Sequence, residues 1–196
     1  MAVLHSDDFN RANNTSLGSP WGGGAGITIV SNQIAVDGSV DTQVYDTTAI
    51  PGNDNAYCQA KVSVTAPAGT ESGPGLLMSK TDGVTYRLIV ATAATNITLA
   101  KFEPSYSVLW NRSATFSNGD TLRMEIIGTT FRVYVNGIQV GADQTIPSWA
   151  GTLTAGMAGS STFPSGILDD WEMGTIDALG IPSPIADIHA GRFGPF

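Results

Sequence analysis

Positive charge is scarce in this sequence. Its 196 residues include nine lysines and arginines against 17 aspartates and glutamates, which gives a formal net charge of −8. Proteins that bind nucleic acids or anionic membrane surfaces neutralise phosphate groups with lysine and arginine, so we expect neither partner. The sequence also lacks an apolar run of about 18 residues, so we expect no membrane insertion. The N-terminal residues MAVLHSDDF show no basic segment followed by an apolar one, which predicts cytoplasmic synthesis without a signal peptide.

Cysteine and histidine are nearly absent. Cys58 is the only cysteine, so no disulfide can form within the chain, and a buried, inert thiol is expected. His5 and His189 are the only histidines and lie far apart in the sequence. A zinc site needs several cysteine or histidine ligands at suitable spacing, and this sequence has no such set. Ser-His-Asp and Cys-His catalysis need a histidine as general base, so the scarcity of histidine argues against them as well.

Few residues suit long exposed helices. Charged residues make up only 13% of the chain, and glutamate occurs four times, at Glu71, Glu103, Glu125 and Glu172. Glycine, serine and threonine are abundant instead, and these residues favour strands and turns. The composition therefore predicts an all-β fold.

The segment between Thr121 and Asp143 predicts a three-stranded antiparallel meander. Asn136-Gly137 suits a type I′ turn and Gly128-Thr129 a type II′ turn, because both turn types need positive φ at a residue that glycine or asparagine tolerates. The resulting register places Leu122, Met124 and Ile126 opposite Val135, Val133 and Phe131, which in turn pair with Ile138, Val140 and Ala142. The opposite face carries Arg123, Glu125, Arg132 and Tyr134, with an exposed ion pair expected between Glu125 and Arg132.

Strand-like runs separated by turn residues continue along residues 1–174, a length suited to one β-sandwich domain. HSDDF at positions 5–9 and ILDDW at positions 167–171 both place two aspartates before an aromatic residue. We therefore expect the two terminal strands to pair, with Phe9 and Trp171 at the same end of the core.

Residues 175–196 have a different composition, with prolines, glycines and apolar residues that follow no period. Two interpretations are open for this extended tail: a flexible terminus, or an arm that docks on another subunit. We favour docking, with contacts made by Ile181, Ile185, Ile188, Phe193 and Phe196.

Three segments carry a resemblance to a known family: DDFNRANNTSLGSPW near the start, LRMEIIGTTFRVYVNGIQV in the second half, and the closing ILDDWEMG. Together they resemble the concanavalin A-like lectin/glucanase superfamily in its laminin-G-type form, as found in minor tail and other virion proteins of tailed bacteriophages. The resemblance implies two antiparallel sheets in a jelly-roll sandwich, with the first and last strands adjacent.

The same resemblance implies a non-enzymatic structural or adhesion component of a virion, and we expect a minor tail protein that docks on neighbouring virion proteins through its C-terminal arm. The alternatives are a capsid decoration protein and a carbohydrate-binding module that recognises a host surface glycan. A homo-oligomeric or lattice-bound state is expected in the virion, where repetition strengthens weak contacts. Retaining glycoside hydrolases of this superfamily carry a Glu-x-Asp-x-x-Glu motif, and its absence here predicts that the chain is not an enzyme.

Two sets of residues are candidate binding sites. Aromatic and cationic side chains that could contact a glycan are Tyr134, Arg123 and Trp110. If the terminal strands pair, carboxylates that could hold a calcium ion are Asp7, Asp8, Asp169 and Asp170. Because adjacent strand residues point to opposite faces, capping of turns is the alternative role for these aspartates, and no other cofactor is expected.

Overall fold

The computed structural model describes residues 1–23, 27–36, 42–50, 55–62, 75–80, 87–93, 96–102, 106–115, 117–145, 153–159 and 168–176. Within these ranges the regular secondary structure is entirely strand, and no helix is present that is long and apolar enough to cross a bilayer. The strands are β1 Ala2–Asp7, β2 Trp21–Gly23, β3 Ile27–Val30, β4 Gln33–Val36, β5 Thr42–Asp46, β6 Asn55–Val62, β7 Gly75–Lys80, β8 Arg87–Ala93, β9 Asn96–Phe102, β10 Tyr106–Ser113, β11 Asp120–Ile127, β12 Thr130–Val135, β13 Ile138–Gln139, β14 Gln144–Thr145, β15 Leu153–Gly159 and β16 Leu168–Thr175.

The strands form two sheets. The first has the order β13-β12-β11-β6-β16-β4-β3, with β1 also paired to β16 and β14 to β12. The second has the order β10-β9-β8-β7-β15-β5-β2. Every pairing is antiparallel, so the predicted all-β antiparallel architecture is confirmed.

The core lies between the two sheets. On β11, Leu122 and Met124 are fully buried, and Arg123 between them is partly exposed, as expected for a strand with one face turned inward. The second sheet contributes alternate buried residues of β9 and β15 to the same cluster. These residues are Ile97, Leu99, Leu153, Ala155 and Met157.

The predicted register of the meander is confirmed from β11 to β12, where Leu122, Met124 and Ile126 face Val135, Val133 and Phe131. Both turns adopt the expected backbone, with positive φ at Asn136, Gly137 and Gly128. Val135 pairs with Ile138, and the Val140 N–H donates to the Val133 carbonyl at 2.8 Å, also as expected.

The predicted pairing of Phe131 with Ala142 is wrong. Strand β13 ends at Gln139, and the chain turns at Gly141, which has a φ of +78°. Pairing resumes at β14, where Phe131 faces Gln144. The chain therefore inserts two extra residues before it returns to β12, a detour that the turn residues upstream do not encode.

The terminal strands pair as expected, with β1 antiparallel to β16 and Asp7 opposite Trp171. Phe9 and Trp171 are fully buried, and the Trp21 ring contacts both, with centroid distances of 5.9 Å and 4.7 Å. Because Trp21 belongs to the second sheet and Trp171 to the first, this aromatic group joins the two sheets at one end of the core. The predicted tail and its five docking residues lie outside the described residues, apart from its first two positions, so the boundary at residue 174 and the docking arm stay predictions.

Candidate functional site

The outward side of the first sheet carries a group of interacting polar side chains, which we call the polar face. Alternation along β11 and β12 directs Arg123, Glu125, Arg132 and Tyr134 outward, because their neighbours in each strand are buried in the core. Neighbouring strands and a loop complete the set. The polar face consists of Gln59, Arg123, Glu125, Arg132, Tyr134, Gln139 and Asp143.

Arg123 lies at the centre of the polar face. Its Nε donates to Glu125 Oε1 at 2.7 Å, and one terminal nitrogen donates to Gln59 Oε1 at 2.9 Å. The other terminal nitrogen lies 3.2 Å from the sulfur of Met1. The guanidinium also covers the ring of Tyr57, with 4.0 Å from Cζ to the ring centroid, a cation–π geometry. These contacts hold the Arg123 side chain in one orientation.

The expected ion pair between Glu125 and Arg132 is wrong, although the two residues are opposite each other in the register. Glu125 instead pairs with Arg123 on its own strand. Arg132 pairs with Asp143, with 2.9 Å between Nη2 and Oδ2 and two further contacts from Nε at 3.1 Å. The detour after β13 brings Asp143 back to β12, and sequence reasoning missed this partner because the predicted hairpin continued in straight register.

Tyr134 is half-buried and lies directly opposite Arg123. Burial raises the pKa of the Tyr134 hydroxyl, and the negative charge of nearby Glu125 raises it further, while Arg132 acts in the opposite direction. The phenol therefore stays protonated at neutral pH and can donate or accept a hydrogen bond. Two of the three predicted glycan contacts, Arg123 and Tyr134, thus lie side by side.

The third predicted glycan contact, Trp110, does not belong to this site. It lies on β10 in the second sheet and is only 7% exposed, so the expectation of an accessible ring is wrong. A shift of register between Val108 and Trp110 places Trp110 opposite Leu99, a core residue, and the ring therefore points inward. Gly141 packs against the ring, at a position where a Cβ atom would stand 3.1 Å from it.

The four aspartates proposed for calcium do not converge. Asp7 accepts hydrogen bonds from the Phe9 N–H at 2.9 Å, from the Trp21 Nε1–H at 2.8 Å and from both terminal nitrogens of Arg11. Asp8 accepts the N–H of Asn10 at 3.1 Å. Asp7 and Asp8 therefore cap the turn that follows β1, which was the alternative role.

On β16, the side chain of Asp170 forms an ion pair with Lys61, and the side chain of Asp169 accepts the N–H of Asp170 at 2.9 Å. A bulge in β16, where Asp170 has a φ of +46°, turns Trp171 into the core. Among the described residues, no group of three or more histidine, cysteine, aspartate or glutamate side chains is placed to hold a metal ion. The calcium site is therefore not supported by the geometry of these four residues.

Sequence reasoning also missed the contribution of β6. Gln59 pairs with Arg123 across the strands, and Tyr57 lies beneath its guanidinium, buried to 1% exposure. The Tyr57 hydroxyl donates to Glu172 of β16, and burial together with this bond raises the pKa of Tyr57. The alternation in AYCQAKV indicates which side chains of β6 point outward, but only the long-range pairing shows what they contact.

Two carboxylates flank the centre of the first sheet on its outward side. Glu125 lies on β11 and Glu172 on β16, and β6 runs between these strands. Two strand spacings amount to about 10 Å, and the side chains of Arg123 and Tyr57 fill the space between the two acids. Each carboxylate already has a hydrogen-bond donor from the chain itself.

Comparison with known proteins gives similarity in structure only. No protein-family model matches the chain, and no curated protein matches its sequence. Among solved structures, a Bacillus subtilis protein of unknown function with a galectin-like fold has a TM-score of 0.64, at 10% identity, covering 89% of this chain and 96% of that one. The fold is a concanavalin A-like jelly roll.

Two further neighbours show which kinds of protein share this jelly roll. The carbohydrate-binding module CBM66 from Bacillus subtilis matches at 17% identity and a TM-score of 0.54, over 79% of this chain and 92% of the module. The catalytic domain of an endo-1,3-beta-glucanase from Thermotoga petrophila matches at 6% identity and a TM-score of 0.58, over 88% of this chain and 96% of that domain. The jelly roll predicted by the sequence resemblance is confirmed, while the bacteriophage context stays a prediction.

Proposed function

We propose that this jelly-roll domain binds carbohydrate through the polar face, without hydrolysing it. The observation that carries the proposal is the side-by-side placement of Arg123 and Tyr134 within a fixed network of amide and carboxylate groups. The similarity in fold to the carbohydrate-binding module CBM66 supports it.

The chemistry of a sugar explains why such a face suits it. A pyranose presents hydroxyl groups that both donate and accept hydrogen bonds, together with patches of C–H groups. Planar amide, carboxylate and guanidinium groups match pairs of hydroxyls, and an aromatic ring packs on the C–H patches. Gln139 supplies an amide beside Tyr134, and Gln59 supplies one beside Arg123. Because these side chains already hold one another in place, little side-chain entropy is lost when a ligand binds.

The geometry of the described carboxylates supports binding rather than hydrolysis. Glycosidases place two carboxyl groups about 5–9.5 Å apart on either side of the scissile bond, with open space between them. Here Arg123 and Tyr57 occupy the space between Glu125 and Glu172, so a sugar ring has no room to enter between the two acids. Glu125 Oε1 also accepts a hydrogen bond from Arg123 Nε at 2.7 Å, so this oxygen already has a partner within the chain.

The experiment is a glycan array probed with the wild-type domain, followed by binding measurements on the best glycan with Tyr134→Ala and Arg132→Ala. We expect each variant to weaken binding at least about tenfold, or about 1.4 kcal/mol. Arg112→Ala is the matched control, because Arg112 is an exposed arginine on β10 in the second sheet. Equal binding by the wild type and both polar-face variants would place the binding site elsewhere, and release of reducing sugar by the wild type would contradict the non-enzymatic part.

The resemblance to virion proteins suggests the setting. We propose that the domain acts on a bacteriophage particle as a minor tail or decoration protein, where many copies would convert weak individual contacts with a host glycan into firm adhesion. Detection of the chain in purified particles, and its position on tail or head by antibody labelling, tests this setting independently of the glycan measurement.

A further inference from the structure

The charges on the polar face indicate which class of carbohydrate it would take, an inference that rests on the proposed function. We infer that the polar face selects neutral glycans and discriminates against anionic ones, such as polymers of uronic acids or sulfated sugars, because its cations are already bound to carboxylates of the same chain. Carboxylates of the chain itself occupy the positions that an anionic ligand would otherwise take at these cations.

Arg132 is the more accessible cation of the polar face, with a side chain that is 31% exposed. Asp143 holds it through contacts to both Nε and Nη2, at 2.9–3.1 Å. Gln139 Nε2 donates to the same carboxylate at 2.7 Å. These hydrogen bonds lower the pKa of Asp143, so the carboxylate remains ionised at neutral pH and competes with any anion that approaches Arg132.

Arg123 is enclosed on several sides. Glu125, Gln59 and the Met1 sulfur engage its three nitrogens, and the Tyr57 ring lies against one side of the guanidinium plane. Glu125 is buried to 9% exposure, so its charge is poorly screened by water. An incoming carboxylate or sulfate would have to displace Glu125 and leave a buried charge without its partner, which is costly.

The charges around the polar face also disfavour an anionic ligand. Lys61, the third described cation on the outward side of the first sheet, is bound to Asp170. Asp169 and Glu172 lie on the neighbouring strand β16, so the outward side carries more carboxylates than cations, and the whole chain has a net charge of −8. A neutral glycan can form hydrogen bonds with the polar face without displacing Glu125 or Asp143. An anionic glycan is repelled by the surplus of carboxylates, and this repulsion provides the specificity.

The test uses pairs of polymers that share a backbone and differ in charge: hydroxyethyl cellulose with carboxymethyl cellulose, and dextran with dextran sulfate. Affinity electrophoresis in gels that contain each polymer measures binding by retardation. We expect the wild type to be retarded by the neutral member of at least one pair, and at least tenfold less by its charged partner. Equal or stronger retardation by the charged partner would overturn the inference.

Variants test the mechanism. Asp143→Asn frees Arg132, and we expect it to increase affinity for the charged polymer about fivefold relative to Asp8→Asn, which changes the net charge equally but lies outside the polar face. In a double-mutant cycle with Arg132→Gln, Asp143→Asn should give no gain when Arg132 is already replaced, which isolates the freed cation. Glu125→Gln provides the same test at Arg123 should Asp143→Asn fold poorly in a thermal unfolding control. If the freed cations give no gain, the inference is wrong, and if no polymer retards the wild type, the proposed function fails together with it.

Discussion

Replacement of Asp7 by asparagine should destabilise the domain far more than the same replacement at Asp8. The Asp7 carboxylate accepts hydrogen bonds from the Phe9 N–H, from Arg11 and from the Trp21 indole, and it therefore links β1 of the first sheet to β2 of the second. An asparagine could retain the acceptor toward Phe9, but its NH2 group would face the donors of Trp21 and Arg11. Hydrogen bonds to charged groups contribute about 1.5–3 kcal/mol each, and since Arg11 is partly exposed we expect a total loss of about 2–3 kcal/mol.

The pH dependence gives this prediction a second readout. Burial alone would raise the pKa of the Asp7 carboxyl, but hydrogen bonds from Arg11, the Phe9 N–H and Trp21 outweigh burial, and the pKa lies below its usual value of 3.8. A carboxyl with a lowered folded-state pKa stabilises the protein above its unfolded-state pKa, and this contribution is lost as the pH falls through the folded-state pKa. The difference in free energy of unfolding between wild type and Asp7→Asn should therefore be full at pH 7 and shrink below pH 3.8.

The assay is urea unfolding of both variants at pH 7 and at a series of values down to pH 2. Asp8→Asn is the matched control, because Asp8 is exposed and accepts only the N–H of Asn10 among its described contacts, so we expect a change below about 0.5 kcal/mol. Equal destabilisation by the two variants, or stabilisation of the wild type by calcium that both variants remove, would refute the role assigned to Asp7 and restore the metal site.

The remaining predictions concern the packing of β16 and β6. A Cβ atom at Gly174 would lie 2.1 Å from the Ala2 carbonyl oxygen and 2.8 Å from Tyr57 Cε1. Gly174→Ala should therefore push β1 away and lower the free energy of unfolding by about 2 kcal/mol or more, whereas Thr175→Ala, the control, should change it much less. Equal unfolding midpoints for the two variants would show that β1 adjusts freely. Burial raises the pKa of the Cys58 thiol, so a thiol reagent at pH 8 should modify the folded protein far more slowly than the urea-unfolded one, and similar rates would contradict the burial of Cys58.

Short-range features of this fold could be predicted from the sequence because turn chemistry and alternation act locally. Asn136-Gly137 and Gly128 fixed the pairing of β11 with β12, and that pairing alone put Arg123 opposite Tyr134. The partners of Arg123 were not predictable in the same way, since Gln59 lies 64 residues away and reaches it only when β6 pairs with β11.

Irregularities account for the remaining errors. The turn at Gly141 brings Asp143 to Arg132, and the shift of register beside Trp110 turns that ring into the core. The shift of register beside Trp110 reverses the face that this side chain occupies, because the period of a strand is two. The detour at Gly141 inserts two residues and therefore changes which residues lie opposite Phe131 and Arg132. Neither has a distinct signature in the sequence, so the ion pairs and the buried tryptophan could be recognised only in the assembled sheets.

The order of strands in the first sheet has a consequence for biosynthesis. Strand β16 is the last described strand in the chain, yet it lies between β6 on one side and β4 and β1 on the other, and β1 pairs with no other described strand. While the ribosome is still translating residues before Leu168, β6 lacks one neighbour and the first strand has no place to bind. The nascent polypeptide therefore exposes unsatisfied backbone groups for most of its synthesis, and the sandwich can close only after translation has passed Thr175.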